Sequence, residues 1–181
     1  MTSNPGKVRE FRQILGAAVK LNHIALEYRE LRSDDPQEIA AEAAAFVAEK
    51  IKKAVVVEDS GLFISALKDF PGTCSKYVHQ RIGLQGILRL MEGANDRKCF
   101  YRSAVGYCEP GKKPLVFLGE EEGTVASEIR GSHGFGHDPL FIPKGSAKTY
   151  CETENTEELK KFRRRAVEKL LKYLNSHFDK K

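Results

Sequence analysis

Residues 55–62 read VVVEDSGL, and this stretch decides the fold class. Three β-branched residues in a row indicate a strand that is buried on both faces, as in a parallel or mixed sheet. The strand leads into Asp59, Ser60 and Gly61, and ligands of open α/β sheets bind beyond the carboxyl ends of the strands. The aspartate could hold a metal ion or a water molecule. Asp59 and Ser60 could equally only cap a turn before Gly61, so this stretch alone leaves both interpretations open.

The composition is typical of a soluble globular protein that binds anions. The chain has 181 residues, of which 41% are hydrophobic and 30% charged, enough for one good-sized domain with its own core. The formal net charge of +5 favours phosphates, nucleotides or nucleic acid as ligands, without choosing among them. The four cysteines lack CxxC spacing, and we recognise neither a signal peptide nor an apolar run that could cross a bilayer. We therefore expect a cytoplasmic protein with free thiols.

Hydrophobic periodicity predicts an α/β fold. Capping signals such as Pro5, Gly16 and Pro36 bound the helical segments, and Gly83 breaks one of them. The predicted helices are residues 5–15, 36–53, 75–81, 84–91 and 156–177. The predicted strands are residues 23–28, 55–57, 62–67, 98–108, 115–118, 124–129 and 140–142. Three of these strands form an antiparallel meander, which a purely parallel fold lacks. We therefore expect a mixed β-sheet flanked by helices, with no composition shift that marks a domain boundary.

Two further stretches carry candidate ligand-binding residues. TSNPGK (residues 2–7) opens the first helix, where backbone N–H groups and the helix dipole favour phosphate and Lys7 adds a positive charge. GSHGFGHDP (residues 131–139) has three glycines in six residues, beside two histidines and an aspartate, as in a loop whose backbone closely approaches a ligand. The alternatives are an ordinary capped helix and a tight connection with solvated histidines. Without further context, Glu30 and most of the basic cluster at residues 160–165 are solvated charges.

Three stretches, taken in order along nearly the whole chain, carry a resemblance to one family. TSNPGK (residues 2–7) resembles the pattern Thr-x-Asn-x-x-Lys, and EDSGL (residues 58–62) resembles its Asp-Ser-Gly-Leu run. GFGHDPLF (residues 134–141) resembles its Gly-Phe-Gly-Tyr-Asp-Pro-x-Phe loop, and Thr149 and Glu152 continue the pattern. Each motif alone is weak, but the ordered set is similar to the inosine triphosphate pyrophosphatase family.

This resemblance implies a fold, a reaction and a set of site residues. The implied fold is α/β, with a long mixed β-sheet flanked by helices and two lobes with a central cleft, all within one domain of residues 1–181. The implied enzyme is a homodimeric, Mg²⁺-dependent nucleoside triphosphate pyrophosphatase acting on the non-standard purine nucleotides ITP, dITP and XTP, with no membrane or nucleic-acid partner. Asp59 matches the catalytic general base and a metal ligand, and Glu30 matches a second metal ligand. The residues that match substrate-binding positions are Thr2, Ser3, Asn4, Lys7, Ser60, Lys76, Phe135, Gly136, His137, Asp138 and Arg163.

The sequence departs from the family pattern at several positions. His137 stands where the family carries Tyr or Trp, and Lys161-Phe162-Arg163 replaces a late Ser-His-Arg. A lysine that precedes this triplet in the family falls on Glu157. The family usually has a hydrophobic strand before the residue that matches Thr2, so we expect either an upstream segment or a core without that edge. The lost Ser-His and the basic last helix support an alternative function, a non-catalytic nucleotide- or RNA-binding protein on the same fold.

Overall fold

The computed structural model describes residues 5–16, 19–28, 30–154 and 160–178. Within these ranges the chain forms four α-helices and five β-strands. In chain order they are α1 (Pro5–Leu15), α2 (Pro36–Ile51), β1 (Val55–Ile64), β2 (Pro71–Gly72), α3 (Ser75–Leu90), β3 (Lys98–Cys108), β4 (Leu115–Val125), β5 (Phe141–Pro143) and α4 (Lys161–Phe178). The predicted α/β class with helices beside a sheet is confirmed.

The five strands form one sheet in the order β2-β1-β3-β4-β5. β2 pairs antiparallel with β1, placing Leu62 opposite Gly72, and β5 pairs antiparallel with β4, placing Thr124 opposite Ile142. A short loop at residues 109–114 joins β3 to β4, as predicted for the first turn of the meander. The third strand predicted at residues 124–129 is wrong, because β4 runs on to Val125 and residues 126–129 are not in a strand. Among the described strands the sheet is therefore antiparallel, and the parallel component that the apolar run of β1 suggested is not found there.

β1 runs without interruption from Val55 to Ile64. The predicted break between strands 55–57 and 62–67 is therefore wrong, and the turn before Gly61 that the sequence left open is not found. Gly61 is needed for a close approach instead, because a Cβ on it would lie 2.0 Å from the carbonyl oxygen of Gly72. The backbone N–H of Leu62 donates to Ser75 Oγ at 2.8 Å, and Ser75 Oγ donates to the Gly72 carbonyl at 2.7 Å. The missing side chain thus allows β2 to lie tightly against the strand.

The chain divides into two compact units, and β1, β3 and β4 each contribute residues to both. The first unit comprises Met1–Asp59, Ser103–Gly119 and Arg163–Lys181. One of its apolar clusters joins α1 and α4 to β3; its buried members are Phe11, Leu15, Val105, Tyr107, Ala166, Val167 and Leu170. The other packs α2 on β1 and β3; its buried members are Ala43, Ala44, Val47, Ala48, Val55, Val57 and Cys108.

The second unit comprises Ser60–Arg102 and Glu120–Phe162. Its core is rich in aromatic rings, and the rings of Tyr101 and Phe162 stack with centroids 4.6 Å apart. The buried members of this cluster are Leu62, Ile64, Val78, Ile87, Met91, Cys99, Tyr101, Val125, Leu140, Phe141, Tyr150 and Phe162. Offset and stacked aromatic pairs of this kind add to the stabilisation from apolar burial.

Two local sequence signals, the start of the helix at Pro36 and the break at Gly83, are confirmed. Asp35 caps α2 by accepting a hydrogen bond from the Gln37 N–H at 2.8 Å, and Gly83 interrupts α3 with φ of 63° and ψ of −168°. The predicted strand at residues 23–28 is wrong, because that segment is irregular and mostly exposed. Only Leu26 and Tyr28 of this segment pack, partly buried, against the cluster formed by α2, β1 and β3. The predicted start of the last helix at Thr156 lies outside the described residues.

All four cysteines are free thiols, as predicted. No helix in the described part of the chain has the length and apolar character needed to cross a membrane.

Gly106 in β3 generates a test of the packing in the first unit, because a Cβ on it would lie 2.2 Å from the Ala40 carbonyl oxygen of α2. We expect Gly106→Ala to lower the free energy of unfolding by about 3 kcal/mol, since β3 and α2 must separate to admit the methyl group. In the control, Gly111→Ala, open space surrounds the Cβ position and φ is 72°, so only left-handed strain of about 1–2 kcal/mol is expected. Urea denaturation measures both, and equal losses would show that close packing is not what requires Gly106.

Candidate functional site

The residues predicted to form the site fall into three sets. Thr2, Ser3 and Asn4 lie outside the described residues. The first unit contains Lys7, Glu30, Asp59 and Arg163, and the second unit contains Ser60, Lys76, Phe135, Gly136, His137 and Asp138. Each unit builds its own cluster of charged groups around these positions.

Glu58 is the centre of the cluster in the first unit. Its Oε2 lies 2.6 Å from the Lys7 Nζ. Its Oε1 accepts hydrogen bonds from Ser103 Oγ at 2.7 Å and from Arg163 Nε at 3.0 Å. The Arg163 guanidinium also forms an ion pair with Glu10 through Nη1. The four charged groups come from α1, β1 and α4, and thus join three elements of this unit.

The charges in this cluster are mutually stabilised. Burial favours the neutral acid of Glu58, but Arg163 and Lys7 outweigh it and hold the pKa of the Glu58 carboxyl well below its usual range. Burial opposes the charge of Arg163, yet Glu58 and Glu10 raise its pKa. Arg163 is only 2% exposed. The predicted substrate residue Arg163 therefore lies inside the cluster, facing two carboxylates.

Glu30 and Asp59, the predicted metal ligands, both act on Tyr28. The Tyr28 hydroxyl donates a hydrogen bond to Glu30 Oε1 at 3.4 Å. Burial, then Glu30, and further Asp59 and Glu42 raise the pKa of this phenol. Two carboxylates within range of one phenol give oxygen ligands of the kind that Mg²⁺ prefers. No group of three or more His, Cys, Asp and Glu side chains among the described residues could hold a metal ion.

Asp138 organises the cluster in the second unit. It is 2% exposed and accepts hydrogen bonds from the Phe135 N–H at 2.8 Å and the Tyr101 hydroxyl at 3.2 Å. The Lys160 ammonium lies 2.8 Å from Asp138 Oδ2 and 3.8 Å from the centroid of the Phe135 ring. Gly134 is needed at its position, because a Cβ there would lie 2.6 Å from Asp138 Oδ2. The glycine-rich loop is therefore folded around one buried carboxylate.

Lys160 is the residue that the sequence analysis missed. The sequence predicts that most of the basic cluster at residues 160–165 is solvated, and Lys161 and Arg165 are indeed exposed. Lys160, however, is buried. Its place is set by the start of α4, where Glu121 accepts hydrogen bonds from the backbone N–H groups of Lys161 and Phe162. The sequence signal for Lys160 is the lysine of the family pattern, which falls on Glu157, a residue outside the described ranges.

His137 is the other buried ionisable group of the loop. It is 3% exposed, and its Nε2 has no hydrogen-bond partner among the described residues. The His79 ring of α3 lies edge-on at 5.3 Å between centroids. Burial and, secondarily, His79 lower the pKa of His137 to about 4. The imidazole is therefore neutral near physiological pH.

The remaining predicted residues differ in exposure. Lys76 is exposed in the first turn of α3, and Ser60 is half-buried within β1. Gly136 has φ of 65° and open space at its Cβ position. The structure thus brings Phe135 and Asp138 together with Lys160, whereas the His137 ring lies against His79 of α3.

Comparison with known proteins identifies close relatives over nearly the whole chain. A model of the Ham1 family matches residues 1–173. The chain is 46% identical to a dITP/XTP pyrophosphatase of Methanopyrus kandleri over 178 residues, covering 97% of this chain and 95% of that protein. It is 43% identical to a dITP/XTP pyrophosphatase of Methanosarcina acetivorans, covering 97% and 96%. The structure of a HAM1 protein from Coxiella burnetii matches with a TM-score of 0.84 at 26% identity, covering 97% of this chain and 96% of that chain.

Because the pKa of His137 is lowered in the folded protein, we expect the free energy of unfolding to decrease at acidic pH. Folding lowers its pKa from 6.5 to about 4, so the unfolded chain takes up the proton more readily. The contribution to stability is complete above about pH 6.5 and is lost as the pH falls toward about 4, by up to about 3 kcal/mol. We expect His137→Phe to flatten the unfolding free energy across this range.

Urea unfolding at a series of pH values makes the measurement. His133→Gln is the control, because His133 is an exposed histidine of the same loop. The control should retain the wild-type slope. A slope that survives in His137→Phe would contradict the assignment.

Proposed function

This chain belongs to the Ham1 family, and we propose that it is a nucleoside triphosphate pyrophosphatase that hydrolyses non-standard purine nucleotides such as dITP, ITP and XTP. The products are the nucleoside monophosphate and pyrophosphate. One observation carries the proposal: Lys160 and Asp138 form a buried pair beside Phe135, in a chain 46% identical to a dITP/XTP pyrophosphatase.

The buried pair matches the edge of a purine with a keto group at position 6. Such a base presents an acceptor oxygen at position 6 beside an N–H donor at position 1, whereas adenine presents a donor amine at position 6. The Lys160 ammonium can only donate, and the Asp138 carboxylate can only accept. Their 2.8 Å separation places one donor and one acceptor next to each other, and the Phe135 ring supplies a stacking face. This arrangement favours hypoxanthine and xanthine over adenine.

The carboxylates of the first unit supply the hydrolytic chemistry in this proposal. Asp59 accepts a proton from the attacking water as general base, a role that is typically worth about 10²–10⁴-fold in rate. Asp59 and Glu30 would also hold Mg²⁺, which would supply positive charge to neutralise the phosphate oxygens. Lys7 and Lys76 contribute positive charge toward the phosphates. The family resemblance also supports a homodimer and a cytoplasmic location.

Asp59→Asn tests the catalytic assignment. We expect pyrophosphate release from ITP and XTP with Mg²⁺ to fall by roughly 10²–10⁴-fold, because the amide cannot take the proton. The urea unfolding curve should stay close to that of the wild type. A panel of ITP, dITP, XTP, GTP and ATP, each with and without Mg²⁺, gives the substrate class. Absence of turnover by the wild type on every nucleotide, together with salt-sensitive RNA affinity, would favour the binding-protein alternative.

Lys160→Met tests the recognition of the base. We expect kcat/KM for ITP and XTP to fall by roughly 10–100-fold, because the position-6 oxygen loses a charged donor from a buried site. Lys161→Met is the matched control, since Lys161 is adjacent but exposed, and it should change kcat/KM less than about twofold. Steady-state kinetics measure both. Equal losses in the two variants would contradict a role for Lys160 in base recognition.

A further inference from the structure

We propose that Glu58 is a positioning residue that holds the Lys7 ammonium in place for binding the triphosphate of the substrate. The inference rests on the proposed function and deepens it, since it assigns a role to a buried carboxylate next to the catalytic Asp59. Glu58 itself touches no substrate in this proposal and acts through Lys7.

The carboxylate of Glu58 is fixed at one end. Its Oε1 receives the Ser103 hydroxyl at 2.7 Å from β3 and the Arg163 Nε at 3.0 Å from α4. A carboxylate held by two buried donors from two different elements has one orientation, because rotation would break both hydrogen bonds. Its Oε2 is thereby aimed at a defined point, where the Lys7 Nζ lies at 2.6 Å.

Lys7 is the member of the cluster that reaches solvent. Its side chain is 18% exposed, compared with 3% for Glu58 and 2% for Arg163. A lysine side chain is long and flexible, and ordering it upon ligand binding costs conformational entropy. Because Glu58 orders the ammonium before the ligand arrives, part of that cost is removed from phosphate binding.

The charges of the cluster leave the ammonium free to act. Lys7 and Arg163 provide two positive charges, and Glu10 and Glu58 provide two negative charges, so 2 − 2 = 0. The negative charge of Glu58 is balanced mainly by the buried Arg163 guanidinium, which contacts Oε1. An ammonium group has three N–H donors, and the contact with Glu58 occupies one side of it. The remaining donors can serve phosphate oxygens.

A purely structural ion-pair cluster gives a different expectation. In that case any loss of charge in the cluster lowers stability, and kinetic effects follow stability alone. A positioning role through Lys7 affects phosphate binding specifically and disappears when Lys7 is absent. The two cases therefore separate in a double-mutant cycle.

Glu58→Gln, Lys7→Met and the double variant form the cycle. The measurements are KM and kcat for ITP, and the Kd of inorganic tripolyphosphate by titration calorimetry on the full chain. We expect Glu58→Gln to raise KM and the tripolyphosphate Kd roughly tenfold while kcat changes less than about threefold. In the Lys7→Met background the same change should have less than about a twofold effect.

Two further variants protect the test. Glu10→Gln removes a charge from the same cluster at the far side of Arg163, and it should leave the tripolyphosphate Kd within about twofold. If Glu58→Gln does not fold, Ser103→Ala removes one donor to Oε1 and keeps the charge, with an expected rise of about threefold in Kd.

Three results would overturn the positioning role. They are additive effects of Glu58→Gln and Lys7→Met, an equal rise in Kd from Glu10→Gln, and unchanged or tighter tripolyphosphate binding by Glu58→Gln or, where that variant does not fold, by Ser103→Ala. A wild type that hydrolyses no nucleotide defeats the proposed function instead. Tripolyphosphate binding still decides the role of Glu58 in that case, because it does not depend on turnover.

Discussion

The structure of the first unit depends on the ion pairs between Arg163 and the carboxylates Glu10 and Glu58. These three side chains are almost completely buried, and a charge that loses its partner in such a place costs about 3–5 kcal/mol. The guanidinium suits this position because it is planar and offers several fixed donors. Its two carboxylate partners come from α1 and β1, so one side chain of α4 secures the packing of three elements.

The second unit also buries a charged group that needs polar partners, and it uses fewer residues to do so. Asp138 is buried in a loop and is satisfied by the Phe135 backbone, the Tyr101 hydroxyl and the Lys160 ammonium. His137, which precedes Asp138 in the chain, stays neutral near physiological pH because burial disfavours its charged form. Adjacent residues of one loop thus bury two ionisable side chains, of which Asp138 has three polar partners and His137 Nε2 has none among the described residues. Buried ionisable groups with a perturbed pKa, such as His137, are common at functional sites.

Glycine has two distinct uses in this chain. At Gly61 and Gly106, neighbouring backbone comes so close that a side chain would not fit, although both lie in extended strands. At Gly83, a positive φ interrupts a helix. The sequence predicts the second use well, because a glycine within a helical pattern is a local signal. It predicts the first use poorly, because close packing depends on distant parts of the chain. At Gly61 the sequence leaves a turn open as one of two interpretations, whereas β1 continues through this position.

The sequence by itself determined the α/β class, the ends of α2, the break at Gly83 and the motifs that place the chain in its family. Each of these follows from local spacing, capping or an ordered set of short motifs. Only the tertiary structure decided that Lys160 lies against Asp138, that β1 continues through Asp59, and that Arg163 forms an ion pair with Glu58. The last contact joins residues 105 positions apart. Periodicity along the chain describes only neighbours within a few turns, so it cannot tell a solvated lysine or arginine from one buried beside a distant carboxylate.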